Sequence, residues 1–169
     1  MGEAPAIDGK GDDLAALASE VLELARQSSL RIVTAESCTG GMLSSLLTDI
    51  EGLSSCFERG FAVYSDDAKT EMLGVAPKLI ERYGAVSAEV ALAMAQGALA
   101  RSLAQIAVAI TGFAGPGAKE DEEGLVHIAL ARESARPQLR EYHFGRGGRD
   151  RTRHHAVQTA LQMMHDALR

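Results

Sequence analysis

The sequence is poor in several residue types, and each shortage narrows what the chain can do. Tryptophan is absent, and aromatic residues make up only 4% of the 169 residues. A base-stacking platform for single-stranded nucleic acid is therefore not expected. Acidic residues outnumber basic ones, giving a formal net charge of -6. This charge argues against nucleic acid as a partner, because phosphate backbones bind basic surfaces.

The chain also lacks a cysteine framework and long apolar runs. Cys38 and Cys56 are its two cysteines, and their number and spacing fit neither a disulfide scaffold nor a metal site. No apolar run reaches the length needed to span a membrane, and the N-terminus has no basic-then-apolar signal pattern. We therefore expect a reducing, cytoplasmic location, no metal and no membrane partner.

Hydrophobic residues nevertheless make up 46% of the chain, enough for a core of its own. Residues 1–12 show no apolar period and are expected to form a flexible tail, followed by a single domain over 13–169. Apolar periodicity predicts helices over 13–27, 40–48, 66–73, 77–83, 87–103 and from 149 onward. It predicts strands over 31–35, 57–65, 106–110, 125–131 and 139–144.

This alternation of strands and helices predicts an α/β fold, a three-layer α/β/α sandwich. The sheet should be mostly parallel, with an antiparallel strand near one edge, because a short hairpin-like link joins the last two strands. Ligands of such sheets bind at the carboxyl ends of the parallel strands. Two segments with polar residues and glycines are predicted to meet there, residues 34–41 and residues 111–117.

Residues 34–41 form the junction between the first strand and the second helix. Their glycines permit a tight turn, and the helix that follows should point unpaired N–H groups at a ligand. Ser37 is a candidate nucleophile if a base lies near it; alternatively, Ser37 or Thr39 merely caps the helix. Cys38 is a second candidate, but without a neighbouring histidine we favour a buried thiol.

A base for Ser37 would have to come from elsewhere in the chain. All five histidines occur late in the sequence, with no evident route to the turn. Lys69 begins a short predicted helix and could serve if burial lowered its pKa, although a solvated helix lysine is the more common situation. Residues 112–117 contain three glycines and could form an N–H-lined concavity for a phosphate or an oxyanion.

Arginines surround the start of the last helix, where cations oppose the helix dipole. They are Arg146, Arg149, Arg151 and Arg153. Three interpretations remain open: a solvated basic turn, a contact with a ligand phosphate, or a contact with an acidic patch of a second subunit. We favour the subunit contact, because the glycine-rich loops already offer phosphate donors, and we expect a homo-oligomer.

Ordered motifs give the chain a resemblance to a known family. They are TAESCTGG at 34–41, YSDDAK at 64–69, LGV at 73–75, GAVS at 84–87, ITGFAGPG at 110–117 and GLV at 124–126. In these motifs the chain resembles the CinA C-terminal domain family, the nicotinamide-nucleotide amidohydrolases, from the first helix to the C-terminus. It is similar to the stand-alone form rather than to the longer members that carry an extra N-terminal domain.

The resemblance implies hydrolysis of the carboxamide of nicotinamide mononucleotide to nicotinate mononucleotide and ammonia, a step in the pyridine nucleotide cycle, without metal or cofactor. It implies Ser37 as the nucleophile, Lys69 as the base and Tyr64 as a residue that helps to position them. The residues expected to bind the nucleotide substrate are Thr39, Gly40, Gly41, Thr111, Gly112, Gly115 and Gly117.

The chain departs from the family pattern in a few places. Asp66 replaces the usual asparagine and could raise the pKa of Lys69 by its charge, Glu51 and Leu53 replace a usual proline and serine, and the loop 117–124 is short. A competing hypothesis is a non-catalytic protein that binds a pyridine nucleotide or a phosphate, in keeping with the family's competence/damage-inducible label. A phosphotransferase is disfavoured, because no Mg²⁺-binding carboxylate motif accompanies the glycine loops.

Overall fold

A computed structural model describes residues 12–116, 122–133 and 135–169. The helices are α1 (Asp12–Gln27), α2 (Met42–Thr48), α3 (Asp66–Leu73), α4 (Pro77–Tyr83), α5 (Ala88–Ala100) and α6 (Arg149–Leu168), with a 3-10 turn at Ser54–Cys56. The strands are β1 (Ile32–Glu36), β2 (Phe57–Ala62), β3 (Ile106–Gly112), β4 (Leu125–Arg132) and β5 (Gln138–His143). Each predicted helix and strand is present, whereas the predicted tail lies, except for Asp12, outside the described residues.

The strands form a five-stranded sheet in the order β2-β1-β3-β4-β5. Strand β1 pairs in parallel with β2 and β3, whereas β4 pairs antiparallel with both β3 and β5. Four strands therefore run in one direction, and β4 runs against them next to the edge strand β5. This arrangement confirms the predicted fold class, and the antiparallel strand arises where the short link between β4 and β5 reverses the chain.

Helices cover both faces of the sheet. Helices α1, α2 and α6 pack on one face, called the α1 face here, and α3, α4 and α5 pack on the other, called the α5 face. Because side chains alternate along a strand, β3 contributes Ile106, Val108 and Ile110 to the α1 face and Ala107 and Ala109 to the α5 face. In the ranges that the structure describes, no helix is both long and apolar enough to cross a bilayer.

Local sequence signals set several helix ends around the carboxyl edge of the sheet. The Ser65 hydroxyl accepts a hydrogen bond from the N–H of Ala68 at 3.1 Å and caps α3. Gly74 ends the same helix with a φ of 70°. The Ser87 hydroxyl accepts from the N–H of Val90 at 3.3 Å and caps α5. Since α3 begins shortly after β2, its first turns lie directly against the sheet edge.

Candidate active site

The loops after β1, β2 and β3 converge on a cavity of about 280 Å³. Several of the residues predicted to form the site line this cavity: Ser37, Tyr64, Lys69, Thr111, Gly112 and Gly115. The wall also contains Ala85, Val86 and Phe113, which the sequence did not single out as site residues. Gly117, another predicted substrate-binding residue, lies outside the described residues.

Backbone hydrogen bonds beyond the strand ends hold Ser37 at this cavity. The N–H of Ser37 donates to the carbonyl of Ile110 at 2.9 Å, and the N–H of Val63 donates to the carbonyl of Glu36 at 2.8 Å. These bonds extend the parallel ladder past β1 and bring the chain after β2 alongside. Successive side chains of an extended chain point to opposite faces, so Glu36 faces α2 while Ser37 faces the cavity.

The N-terminus of α2 is not open to a ligand, and the expectation of unpaired N–H groups there is wrong. The Glu36 carboxylate accepts hydrogen bonds from the N–H groups of Gly41 at 3.2 Å, Leu43 at 3.0 Å and Ser44 at 2.8 Å. A carboxylate is favoured at this positive end of the helix, and the strand end places Glu36 within its reach. The N-cap residue is Gly41, without a side-chain bond, so Ser37 does not cap the helix.

Few N–H groups of the turn remain for an oxyanion. The N–H of Gly40 donates to the carbonyl of Ser37 at 3.1 Å. Among the described residues, the N–H groups of Cys38 and Thr39 donate to no backbone carbonyl, although the N–H of Cys38 lies within hydrogen-bond reach of its own thiol. Of these two residues Cys38 lines the cavity and Thr39 does not, so the N–H of Cys38 is the donor that this part of the turn can offer to a developing negative charge.

The glycines of the turn lie on a different cavity. Gly40 and Gly41 have φ values of 62° and 96°, which glycine adopts without strain, and they line a cavity of about 480 Å³ against α1, α2 and α6. Thr39 is fully buried, and its carbonyl accepts a hydrogen bond from Nη2 of Arg153 at 2.8 Å. The structure therefore places these three predicted binding residues behind the turn, away from the cavity of Ser37.

Lys69 is buried at the cavity wall, with 1% of its surface exposed. Its Nζ donates to the carbonyl of Tyr64 at 3.0 Å and lies 3.9 Å from Oδ1 of Asp66. Burial lowers the pKa of Lys69, and the negative charge of Asp66 partly opposes this shift. The interpretation of Lys69 as a solvated helix lysine is therefore wrong, and burial shifts the pKa of Lys69 in the direction that a general base requires.

Changing Asp66 to asparagine should move the acid limb of the pH–rate profile to lower pH. Removing the carboxylate removes the charge that raises the pKa of Lys69, so the amine becomes neutral at a lower pH. The matched control is Asp67→Asn, an exposed carboxylate one residue further along α3, which should leave the limb in place. A limb that stays fixed in Asp66→Asn, or moves equally in both variants, contradicts this effect of Asp66 on Lys69.

Cys38 also lines the cavity, but its thiol is poorly suited to attack. The residue is buried, and burial raises the pKa of the Cys38 thiol to about 11. Only about one thiol in ten thousand is ionised at pH 7 for such a pKa, whereas the thiolate is the reactive form. The structure supports the buried-thiol interpretation of Cys38.

The loop after β3 closes one side of the cavity. The Thr111 hydroxyl donates to the carbonyl of Ala85 at 2.8 Å, which ties the end of β3, where this loop begins, to the segment before α5. A Cβ at Gly112 would come within 2.7 Å of the Leu125 carbonyl oxygen, so the close approach of β4 requires glycine. In the described part of the chain, the N–H groups of Ala114 and Gly115 have no acceptor, and both residues line the cavity.

Arg149 lies at the mouth of the cavity. It is the first residue of α6, and its Nη2 donates to the hydroxyl of Tyr64 at 3.3 Å. The side chain of Tyr64 is 69% exposed. A Cβ at Gly115 would come within 3.3 Å of Nη1 of Arg149. A guanidinium therefore stands beside Ala114 and Gly115, which line the cavity and whose N–H groups have no backbone acceptor among the described residues, an arrangement suited to binding an anion.

The other arginines near the start of α6 have different neighbours. Arg153 bonds to the carbonyl of Thr39, as described above, and Nε of Arg151 donates to Nε2 of His155 at 3.3 Å. Arg149, Arg151 and Arg153 therefore have separate contacts. The ligand contact is available to Arg149, while the predicted subunit contact and homo-oligomer stay predictions.

The fold and the site define an α/β sandwich that presents a serine and a buried lysine in one cavity at the carboxyl edge of its parallel strands. Residues 14–168 match the family described as the CinA C-terminal domain. The chain belongs to this family.

Known relatives agree with this assignment. The CinA-like protein of Chlorobium phaeovibrioides is 42% identical over 159 residues, covering 90% of this chain and 37% of that protein. The chain spans between 30% and 38% of the length of the first curated relatives that it matches. The crystal structure of the competence/damage-inducible protein CihA of Agrobacterium tumefaciens is 41% identical, with a TM-score of 0.87 and 99% of each chain covered. A CinA superfamily protein of Escherichia coli is 34% identical, with a TM-score of 0.87, covering 96% of this chain and 95% of that one.

Proposed function

We propose that this chain hydrolyses the carboxamide of nicotinamide mononucleotide to nicotinate mononucleotide and ammonia. The observation that carries the proposal is the presence of Ser37 and the buried Lys69 in the wall of one cavity. In the described ranges no histidine lines this cavity, so a lysine of lowered pKa is the base that its wall offers. The family resemblance supplies the substrate.

In the first half of the reaction, Oγ of Ser37 attacks the carboxamide carbon and transfers its proton to Nζ of Lys69. Negative charge develops on the carbonyl oxygen, and N–H groups of the two loops that line the cavity can stabilise it, that of Cys38 or those of Ala114 and Gly115. The C–N bond then breaks, and ammonia leaves with the proton that Lys69 returns. A nicotinate ester of Ser37 remains.

In the second half, water replaces ammonia at the same carbonyl carbon. Lys69 takes a proton from the attacking water, which adds to the ester carbon and forms a second tetrahedral intermediate. The ester C–O bond breaks, and the proton returns from Lys69 to Oγ of Ser37. Nicotinate mononucleotide leaves, and both side chains regain their starting protonation states.

The phosphate of the substrate is the anion that we assign to Arg149. Arg149→Gln should raise the KM for nicotinamide mononucleotide by about 10- to 100-fold, the loss expected for one charge-assisted hydrogen bond. The KM for nicotinamide riboside, which has no phosphate, should change little. Arg151→Gln is the matched control, because Arg151 contacts His155 and is exposed. Equal increases in KM for both substrates would contradict the assignment of the substrate phosphate to Arg149.

The proposed function is tested by incubating the purified chain with nicotinamide mononucleotide in the presence of a metal chelator. We expect ammonia and nicotinate mononucleotide to appear in equal amounts, because each hydrolysed amide gives one of each. The chelator should not reduce the rate, because the serine–lysine mechanism needs no metal. Binding of the nucleotide without either product would support the non-catalytic alternative instead. The absence of both binding and turnover would reject this substrate.

A further inference from the structure

A buried carboxylate stands directly before the proposed nucleophile. Glu36 is the last residue of β1, and none of its surface is exposed. Its carboxylate accepts four hydrogen bonds, three from N–H groups of the α2 start and one from the hydroxyl of Ser44 at 2.6 Å. Burying a charge is costly even when it is hydrogen-bonded. An ordinary helix cap would need only a short polar side chain at the N-cap, where Gly41 stands.

A chain of hydroxyl groups leads to this carboxylate from inside the sheet. Oγ of Ser44 lies 2.6 Å from Oγ1 of Thr34, which is fully buried. An ionised carboxylate can only accept, so the single hydroxyl proton of Ser44 goes to Glu36, and Thr34 must donate to Ser44. The chain therefore has one direction, from Thr34 through Ser44 to Glu36.

Strand β2, the edge strand beside β1, leaves room for the hydroxyl groups of Thr34 and Ser44 because it carries a glycine. Gly60 of β2 pairs with Thr34 across the sheet. A Cβ at Gly60 would collide with Oγ of Ser44 and would come within 2.9 Å of Oγ1 of Thr34. The strand that runs beside β1 is thus matched to the hydroxyl groups on its α1 face.

We propose that Glu36 and Ser44 are positioning residues that fix the turn carrying Ser37. This inference rests on the proposed function, which assigns a reactive hydroxyl to Ser37. The polypeptide backbone links Glu36 directly to Ser37 on one side. On the other side, hydrogen bonds link its carboxylate to Gly41, Leu43 and Ser44. It therefore holds both ends of the turn, and with them the N–H group of Cys38 at the cavity.

Ser44→Ala tests this role against the matched control Ser45→Ala, an exposed hydroxyl on the next residue of the same helix. Loosening the turn should lower kcat by about tenfold in Ser44→Ala, and by about 100-fold in Glu36→Gln, since a misplacement near 1 Å costs about that much. KM should stay within about twofold in both, because the Arg149 end of the cavity is untouched. Ser45→Ala should match the wild type.

A second readout does not depend on the identity of the substrate. Phenylmethanesulfonyl fluoride forms a sulfonyl ester with a reactive serine; the serine proton goes to the base and fluoride leaves. Its rate of labelling of Ser37, followed by peptide mass, should fall in Ser44→Ala and Glu36→Gln as kcat falls. If Ser37 is labelled but nicotinamide mononucleotide is not turned over, the proposed substrate is rejected. The positioning role is still supported in that case if Ser44→Ala and Glu36→Gln are labelled more slowly than the wild type.

Gly60→Ala provides an independent test from the other strand. The new methyl group should push the Ser44 hydroxyl away from Glu36 and slow both labelling and turnover. In the Ser44→Ala background the same change should cost less, because its closest contact, with the Ser44 hydroxyl, is gone while the contacts with Thr34 Oγ1 and with Cβ of residue 44 remain. This coupling separates a positioning effect from general loss of stability. Wild-type kcat and labelling in folded Ser44→Ala and Glu36→Gln would overturn the proposal, as would a wild-type chain whose Ser37 is not labelled.

Discussion

Ser37→Ala should lower kcat by at least about 1,000-fold, the scale of loss when a nucleophile is removed from a hydrolase that acts through a covalent intermediate. The hydroxyl is the group that forms the ester, and no neighbouring group replaces it. Cys38→Ala should retain most of the activity, because the raised pKa of Cys38 keeps its thiol protonated at neutral pH. Both variants are compared by the rate of ammonia release at saturating nicotinamide mononucleotide.

The two adjacent positions act as controls for each other. Both side chains are small, both are buried and both line the same cavity. A general disturbance of the turn should therefore appear in both variants. If Cys38→Ala is inactive and Ser37→Ala is active, the nucleophile is the thiol and the assignment to Ser37 is wrong.

Lys69→Arg should be almost inactive. Arginine keeps the positive charge but does not lose its proton in proteins, so it cannot accept the proton of Ser37. The expected loss in kcat is about 100- to 10,000-fold, the range for removal of a general base. Lys78→Arg, an exposed lysine on the neighbouring helix α4, is the control and should keep full activity.

A companion variant separates catalysis from stability at this position. Lys69→Met replaces a desolvated amine with an apolar chain of similar length, so its Tm should equal or exceed that of the wild type while activity is lost. Retained activity in either folded variant would eliminate Lys69 as the base. A large fall in Tm for Lys69→Met would show instead that the amine stabilises the fold.

The fold was predictable because its signals are local or periodic. The predicted strand at 106–110 is an apolar run that the structure buries on both faces, and the residues Gly74 and Ser87, which end α3 and begin α5, are of the types that favour helix ends. Strand ends were less predictable: β2 stops at Ala62, although the apolar pattern extends to Ser65. Pairing with β1 rather than composition determines where a strand stops.

The site was predictable where one side chain carries the chemistry and unpredictable where contacts join distant segments. Ser37 and Lys69 were identified by the family motifs, but only the folded chain shows that Lys69 is buried. Glu36 was part of the motif at 34–41 without a predicted role of its own, because its bonds to α2 depend on the geometry of the turn. Arg149 was one of four similar arginines, and its contact with Tyr64 spans 85 positions of sequence.

The central claim is amide hydrolysis through an ester of Ser37, and a single-turnover experiment tests it most directly. Excess protein is mixed with nicotinamide mononucleotide and quenched in acid at successive times. The quenched protein is then digested and the masses of its peptides are measured. We expect an ester on the peptide that contains Ser37, rising with one ammonia per substrate and decaying as nicotinate mononucleotide appears. An acyl group on Cys38, or equal and simultaneous release of both products with no acylated peptide at any time, would contradict the account.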